Sequence, residues 1–204
     1  MAELLFNPSS FLSSVKKLNY QTVLADPPWR FSNSTGKMAP EHKRLSRYST
    51  LTFEEIKSIP IIDVIADQCH LYLWIPNALL REGLDTMAAW GFKYKTNIIW
   101  HKIRKDGGPD GRGVGFYFRN TTEILLFGVR GNMRTLPPGR RQVNIIKTQK
   151  REHSRKPDEV YDIIERCSPG PYLELFARNI ALSNEYRSDV WEFCGNEVES
   201  RVVF

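Results

Sequence analysis

Short runs of branched and aromatic residues recur along this chain, and segments carrying helix signals separate them; this alternation restricts the fold more than any other feature. Tyr20 to Ala25 (YQTVLA) is the first run, and it stops at Asp26-Pro27-Pro28, where proline removes the backbone donors that a strand needs. His70 to Ile75, Phe92 to Lys102, Thr122 to Val129, Val143 to Lys147, Tyr172 to Phe176 and Val190 to Phe193 are the later strand candidates. Thr52 and Glu55 form a T-x-x-E capping box that predicts a short helix ending before Pro60. Asn77 is a cap candidate for a helix through Trp90, with Leu80, Leu84, Met87 and Ala88 on one face and Gly91 as the stop. Pro157 followed by Asp158 and Glu159 predicts a helix to about Cys167. Strands alternating with helices predict an α/β domain with a mostly parallel sheet and helices on both faces. A length of 204 residues suits one domain over 1–204. Functional residues in such sheets gather at the carboxyl ends of the strands. That rule selects Asp26 to Trp29, the glycine-rich loop after Lys102, the stretch after Lys147 and the stretch after Phe176.

Composition narrows the partners. No run is long and apolar enough to span a bilayer, and the N-terminus lacks the order of basic, apolar and small residues of a signal peptide. No membrane partner and a cytoplasmic setting are therefore expected. Cys69, Cys167 and Cys194 are odd in number and scattered, which fits reduced thiols, and with four scattered histidines they offer no metal spacing. The net charge is +6, and its distribution is uneven. The segment 130–156 holds nine basic residues against Glu152 alone, a net +8, so the rest of the chain is slightly acidic. A solvated basic loop gives such a run, and so does a phosphate-contacting one; its position between catalytic-looking motifs favours the second.

Asp26-Pro27-Pro28-Trp29 carries the chemistry. An adenine exocyclic amine is a poor nucleophile because its lone pair is delocalised into the ring. Two acceptors on the amine hydrogens draw the nitrogen towards tetrahedral geometry and free that pair. The Asp26 carboxylate supplies one acceptor and the Pro27 carbonyl a second, while the prolines stiffen the turn. Trp29 is expected to offer a flat face to the base, an interaction worth about 1–3 kcal/mol. A proline-terminated strand with a buried tryptophan accounts for the same four residues.

Further motifs follow in order: Y-S-T at Tyr48 to Thr50, LYLW at Leu71 to Trp74, IIWHK at Ile98 to Lys102 and TEILLFGVRG at Thr122 to Gly131. HSRKPDEVYDIIERCSPG at His153 to Gly170, LELFAR at Leu173 to Arg178 and W-x-x-x-G-N at Trp191 to Asn196 complete the series. With ADPPW at Ala25 to Trp29, this order resembles the DPPW family of N6-adenine methyltransferases. That family includes the catalytic subunit of the eukaryotic messenger-RNA adenosine methyltransferase and many short bacterial and phage proteins, and the chain is more similar to the short members.

The resemblance implies a Rossmann-like S-adenosylmethionine-dependent fold with permuted motif order, the DPPW segment preceding the cofactor-binding ELF segment. It implies a cofactor set of Asp26, Lys156, Glu174, Phe176, Arg178, Asn196 and Glu197. Lys156 would pair with the methionine carboxylate, Arg178 and Glu197 would hold the ribose, and Asn196 would meet the cofactor adenine. Residues 30–49, with Tyr48, resemble a first gate loop and 148–156 a second, after an N-terminal extension over 1–19. Tyr48, Lys102, Glu123, Arg134, Arg140, Arg141, Lys150 and Arg151 are the implied substrate contacts, and no metal is implied. Trp74 and Trp100 read as core, and His101 and His153 as structural or surface residues. The expected activity is methyl transfer to N6 of adenine in nucleic acid, with DNA favoured over RNA. A catalytically silent nucleic-acid-binding subunit, RNA N6-adenosine methylation and N4-cytosine methylation are the competing readings, and a homodimer or a heterodimer with a related subunit is open.

Overall fold

The computed structural model describes residues 7–16, 19–30, 50–111, 117–149, 155–177 and 190–195. Its strands are β1 (Tyr20–Ala25), β2 (Ile65–Ile75), β3 (Lys93–Ile103), β4 (Thr122–Arg130), β5 (Ile145–Gln149), β6 (Tyr172–Leu175) and β7 (Trp191–Cys194). Its α-helices are α1 (Pro8–Phe11), α2 (Phe53–Lys57), α3 (Leu80–Ala89) and α4 (Glu159–Cys167). The strands form one sheet in the order β5-β3-β4-β2-β1-β6-β7. Only β4 runs against its neighbours; every other pairing is parallel. The sheet is thus mostly parallel. Because β4 is reversed, its first residues, Thr122 and Glu123, lie at the edge where the other strands end.

Alternate residues of the central strands feed two cores. Val23, Ala25, Leu71, Leu73, Ile75 and Leu126 pack beneath α2 and α3, together with Leu12 and Val15 of the N-terminal segment. Leu24, Tyr72, Trp74, Leu125 and Phe127 point the other way, against Val160, Ile163 and Ile164 of α4. Helices therefore cover both faces, and a strand buried on both faces reads as a near-continuous apolar run. Among the described residues no helix is long and apolar enough to cross a membrane. The three cysteines are buried free thiols.

Local signals explain most boundaries. Thr52 caps α2: its hydroxyl accepts from the Glu55 N–H at 3.2 Å, while the Glu55 carboxylate accepts from the Thr52 N–H at 2.7 Å. Gly91 ends α3 with φ of 81°, a conformation glycine adopts without a side-chain clash. Two expectations for α3 need correction. Asn77 caps no helix; its amide donates to the Thr122 carbonyl and hydroxyl, both at 3.1 Å, and so pins the start of β4. The inward face is Leu79, Gly83, Thr86, Met87 and Trp90, leaving Leu80 41% exposed and Ala88 on the surface. A 3-10 turn over Asn77–Leu79 sets this phase, and Leu79 anchors the same helical period one residue out of step with Leu80. Strand β2 also begins at Ile65, five residues ahead of the apolar run, because backbone pairing to β1 and β4 extends it where side-chain pattern gives no cue.

Candidate active site

The carboxyl edge of the sheet gathers charges that are far apart in sequence. Asp26 follows β1, Lys102 lies near the end of β3, Glu123 near the start of β4, and Lys156 just before α4. The Lys156 ammonium lies 3.0 Å from Asp26 Oδ1 and 3.2 Å from Glu123 Oε2. Glu123 Oε1 in turn accepts from Lys102. The result is an alternating row, Asp26–Lys156–Glu123–Lys102, with each side chain mostly enclosed. Two tryptophans floor it: the Lys156 ammonium sits 5.4 Å from the Trp74 ring and that of Lys102 4.7 Å from Trp100. Both rings are buried, as core residues should be, yet each offers its π-face to a cation.

Charge alternation makes this enclosure tolerable. Burial pushes the Glu123 carboxyl up, but Lys156 and then Lys102 outweigh it and hold the group below the ordinary carboxylate value. Burial pulls Lys156 down, and Asp26 and Glu123 outweigh that, so its ammonium is held more firmly than usual. A carboxylate removed from water needs such a partner.

Among the described residues Glu174 on β6 has no such cation. Its Oε2 accepts from the Tyr161 hydroxyl at 2.6 Å. Burial, opposed by that hydrogen bond and reinforced by the charge of Asp26, leaves its carboxyl pushed up to about 7. Among the described residues the edge thus brings together three acids, Asp26, Glu123 and Glu174, and two ammonium groups, Lys102 and Lys156. Tyr161 is absent from the residues selected by sequence. The signal for it was the stranded carboxylate itself, which requires a donor from a neighbouring element.

The Asp-Pro-Pro-Trp turn is tightly made. The Asp26 N–H donates to the Leu175 carbonyl at 3.4 Å, and the Trp29 N–H to the Pro27 carbonyl at 2.8 Å. A carbonyl has two lone pairs, so Pro27 keeps one acceptor position beyond that bond. Trp29 departs from expectation. It is 4% exposed, its indole N–H donates to the Trp74 carbonyl at 2.9 Å, and its ring lies against Phe53 at 6.1 Å. It offers no open face to a base; it ties the turn to β2. The Leu51 N–H donates to the Pro28 carbonyl at 3.0 Å and Arg30 Nε to the Thr50 hydroxyl at 3.4 Å, so both ends of the 31–49 stretch are held side by side at the site.

The segment after β6 is anchored by close backbone packing. Phe176 leaves β6 with φ of 60°, unusual for an aromatic residue and of the kind found at functional sites, and its ring stacks on Phe11 at 4.8 Å. A Cβ on Gly195 would lie 2.2 Å from the Ala177 carbonyl oxygen, which explains the glycine in W-x-x-x-G-N. Trp100 Nε1 donates to the Thr148 hydroxyl at 2.8 Å and fixes the end of β5 against β3.

Among the sequence-selected residues, Asp26, Pro27, Pro28, Lys102, Glu123, Lys156, Glu174 and Phe176 come together at this edge. Arg134, Arg140 and Arg141 do not. They lie on the connection that follows the end of β4, where Gly139 packs on Cys167 at the far end of α4, and all three are exposed. Tyr48, Lys150, Arg151, Arg178, Asn196 and Glu197 lie outside the described residues.

Comparison with known proteins agrees with this geometry. A model of the MT-A70 family matches residues 20–196. The human N(6)-adenosine-methyltransferase catalytic subunit METTL3 is 31% identical over 185 residues, covering 87% of this chain and 30% of that protein. The type II methyltransferase M.MunI of a Mycoplasma species is 30% identical over 177 residues, covering 78% of this chain and 72% of its own. An MT-A70-like N(6)-adenosine-methyltransferase of Arabidopsis thaliana is 31% identical over 163 residues, covering 78% of this chain and 22% of that protein. The chain thus spans less than a third of the eukaryotic relatives. Matched over nearly its whole length, it belongs to the MT-A70 family of S-adenosylmethionine-dependent methyltransferases.

Proposed function

We propose that this chain transfers a methyl group from S-adenosylmethionine to N6 of an adenine in nucleic acid, with DNA favoured over RNA. The observation that carries this reading is the charge count at the carboxyl edge. Among the described residues three carboxyl groups face two ammonium groups, and Glu174 is pushed up to about 7. A ligand with a zwitterionic amino-acid end and a sulfonium carries one net positive charge, which fits that deficit. Lys156 would hold its carboxylate, and Asp26 and Glu174 would face its cationic groups, with Phe176, Arg178, Asn196 and Glu197 towards the nucleoside. When bound, this cofactor supplies an already activated methyl group.

The chain's own residues then need only orient the amine and polarise it. Asp26 and the free lone pair of the Pro27 carbonyl accept from the two amine hydrogens, and the Lys156 ammonium, 3.0 Å from Asp26 Oδ1, fixes the position of that carboxylate. Trp29 acts by fixing the turn, and Glu123, held by Lys102, keeps Lys156 in place. No strong base is needed, because the proton can leave after the methyl arrives. Alignment of two bound reactants can supply about 7–11 kcal/mol of a barrier. If the substrate is a duplex, unstacking the adenine costs a few kcal/mol. Tyr48, Lys150 and Arg151 would contact the strand at the site, and Arg134, Arg140 and Arg141 would meet phosphates farther along it. We favour DNA because the chain spans 72% of a type II methyltransferase but 30% of an N(6)-adenosine-methyltransferase subunit. The intact Asp26–Lys156 pair weighs against a silent subunit.

The test is transfer from labelled S-adenosylmethionine to adenine-containing DNA and RNA oligonucleotides, single- and double-stranded. N6-methyladenine should form with the wild-type chain, and Asp26→Ala should reduce turnover by at least about a thousandfold, as expected when a group that polarises the nucleophile is lost. Substantial residual transfer by a folded Asp26→Ala variant would refute this assignment.

A further inference from the structure

Two aromatic side chains stand almost fully in solvent beside this site. Tyr117 is 94% exposed and Phe118 86% exposed, and both lie on the connection from β3 to β4. Their neighbours are not loose. The Lys102 N–H donates to the Thr121 carbonyl and the Asp110 N–H to the Lys102 carbonyl, both at 2.8 Å. Arg119 Nη1 reaches the Gly111 carbonyl at 3.3 Å and ties the two arms together. The connection therefore presents the aromatic pair from a held base instead of folding it inwards, where burial would be favourable.

Position and charge indicate what covers the pair. The connection joins the strands that carry Lys102 and Glu123, so it rises from the rim of the site. Tyr117 is six residues from Glu123, and a chain of that length reaches no farther than about 20 Å. A nucleic-acid strand of the same extent holds about six nucleotides at 3.4 Å each. The outward charge is positive: Asp106 is paired with Arg104 at 2.9 Å and Asp110 is 3% exposed, whereas Lys105 and Arg119 are exposed. Aromatic rings interleaved with basic residues suit a polymer with flat bases and a charged backbone.

We infer that Tyr117 and Phe118 form a stacking platform for bases flanking the target adenine, placed a few nucleotides from the amine that Asp26 meets. This rests on the methyltransferase reading above and adds a substrate contact outside the set selected by sequence. The platform holds the strand in register and contributes to affinity for the polymer, not to the chemical step.

The experiment uses the full chain, fluorescein-labelled adenine-containing oligonucleotides of about twenty nucleotides, and S-adenosylmethionine. Replacing both rings, Tyr117→Ala with Phe118→Ala, should raise KM and the anisotropy Kd for the oligonucleotide by about ten- to a hundredfold, the scale of losing one or two base stacks. The kcat should stay within about threefold and S-adenosylmethionine affinity should not move, because neither ring touches the charged row. Tyr117→Phe should retain wild-type KM, while Tyr117→Leu should not, since stacking needs a flat ring whereas an apolar contact does not. Unchanged oligonucleotide binding by the double-alanine variant overturns the platform and leaves the methyltransferase reading standing. So does a shift in sedimentation from dimer to monomer with oligonucleotide binding intact, which would mark a protein-docking surface. Failure of the wild-type chain to bind any of these oligonucleotides overturns both.

Discussion

Each end of the sheet buries a polar network, and the two are built on opposite principles. At the carboxyl edge the members are ions, Asp26, Lys156, Glu123 and Lys102, still 14–26% exposed. Towards the other end, where α4 closes and β6 begins, the members are neutral. The Ser168 hydroxyl lies 2.8 Å from both His70 Nδ1 and the Tyr72 hydroxyl, and the Tyr172 hydroxyl donates to the Ser168 carbonyl at 3.0 Å. His70 and Ser168 are fully buried and Tyr72 nearly so. Burial holds His70 below its ordinary value and Tyr72 above its own, so both stay uncharged. The ionic network keeps partial contact with solvent. The neutral one is sealed and acts as a clasp between α4 and the sheet. Buried polar groups alone therefore do not distinguish the two ends; charge combined with partial access does.

Breaking the ionic network should injure function far more than fold. Lys156→Met leaves Asp26 and Glu123 facing each other without their shared cation. Losing one group that places charge in an active site typically costs about a hundred- to a thousandfold in rate, so methyl transfer should fall by that factor, with KM for S-adenosylmethionine rising. Because both carboxylates keep some contact with water, the melting temperature should fall by only a few degrees. Calorimetric cofactor binding, initial rates and a thermal melt on one preparation check this. A variant that melts much earlier than wild type would make the row a structural clasp as well.

Breaking the neutral network should do the reverse. Ser168→Ala takes the shared partner from His70 and Tyr72 at a site closed to solvent. A buried group left unsatisfied costs about 1–3 kcal/mol. At about 2–4 °C per kcal/mol for a chain of this size, the melt should fall by roughly 3–10 °C. The kcat at 25 °C should stay within about twofold of wild type. A fall in kcat without a fall in stability would couple the clasp to the site and erase the contrast.

The same contrast separates what was legible in the sequence from what was not. Strand β1 was readable because a β-rich run meets Asp-Pro-Pro, and α2 because Thr52 and Glu55 satisfy each other's backbone groups within one turn. The family motif order selects Asp26, Lys156 and Glu174, and the structure sets all three at the carboxyl edge. The row itself was not readable, because its four ions lie on separate segments and only the reversed direction of β4 brings Glu123 to the same edge as Asp26. Trp29 shows the limit of a motif: residue type suggests a platform, but the contacts of Phe53 and the Trp74 carbonyl decide that it faces inwards. The basic segment shows a second limit, that of sequence contiguity. Contiguous in sequence, it divides around β5, leaving Arg134, Arg140 and Arg141 near the neutral end and Lys156 at the ionic one.

Glu174 offers a graded way to sharpen the contrast, since it belongs to the ionic end yet lacks a cation among the described residues. Its carboxyl ordinarily titrates near 4.5 and here is pushed up to about 7. For an acid the sign runs one way: in the free fold Glu174 is protonated below about pH 7 and ionised above it. Only the ionised form attracts a cationic ligand, so apparent affinity is intrinsic affinity multiplied by the ionised fraction. Between pH 6 and pH 8 that fraction rises from roughly a tenth to nine tenths, so S-adenosylmethionine should bind about tenfold more tightly at the higher pH. Glu174→Gln should lose this slope and bind at all pH values no better than wild type does near pH 6. Removal of the Tyr161 hydroxyl, in Tyr161→Phe, withdraws the bond that opposes burial, so the midpoint should move above about 7. Calorimetric titration of the three proteins from pH 5.5 to 8.5 gives the midpoints directly. A wild-type profile as flat as that of Glu174→Gln would mean that Glu174 does not face the cationic part of the ligand, and the spare proton at the ionic end would need another explanation.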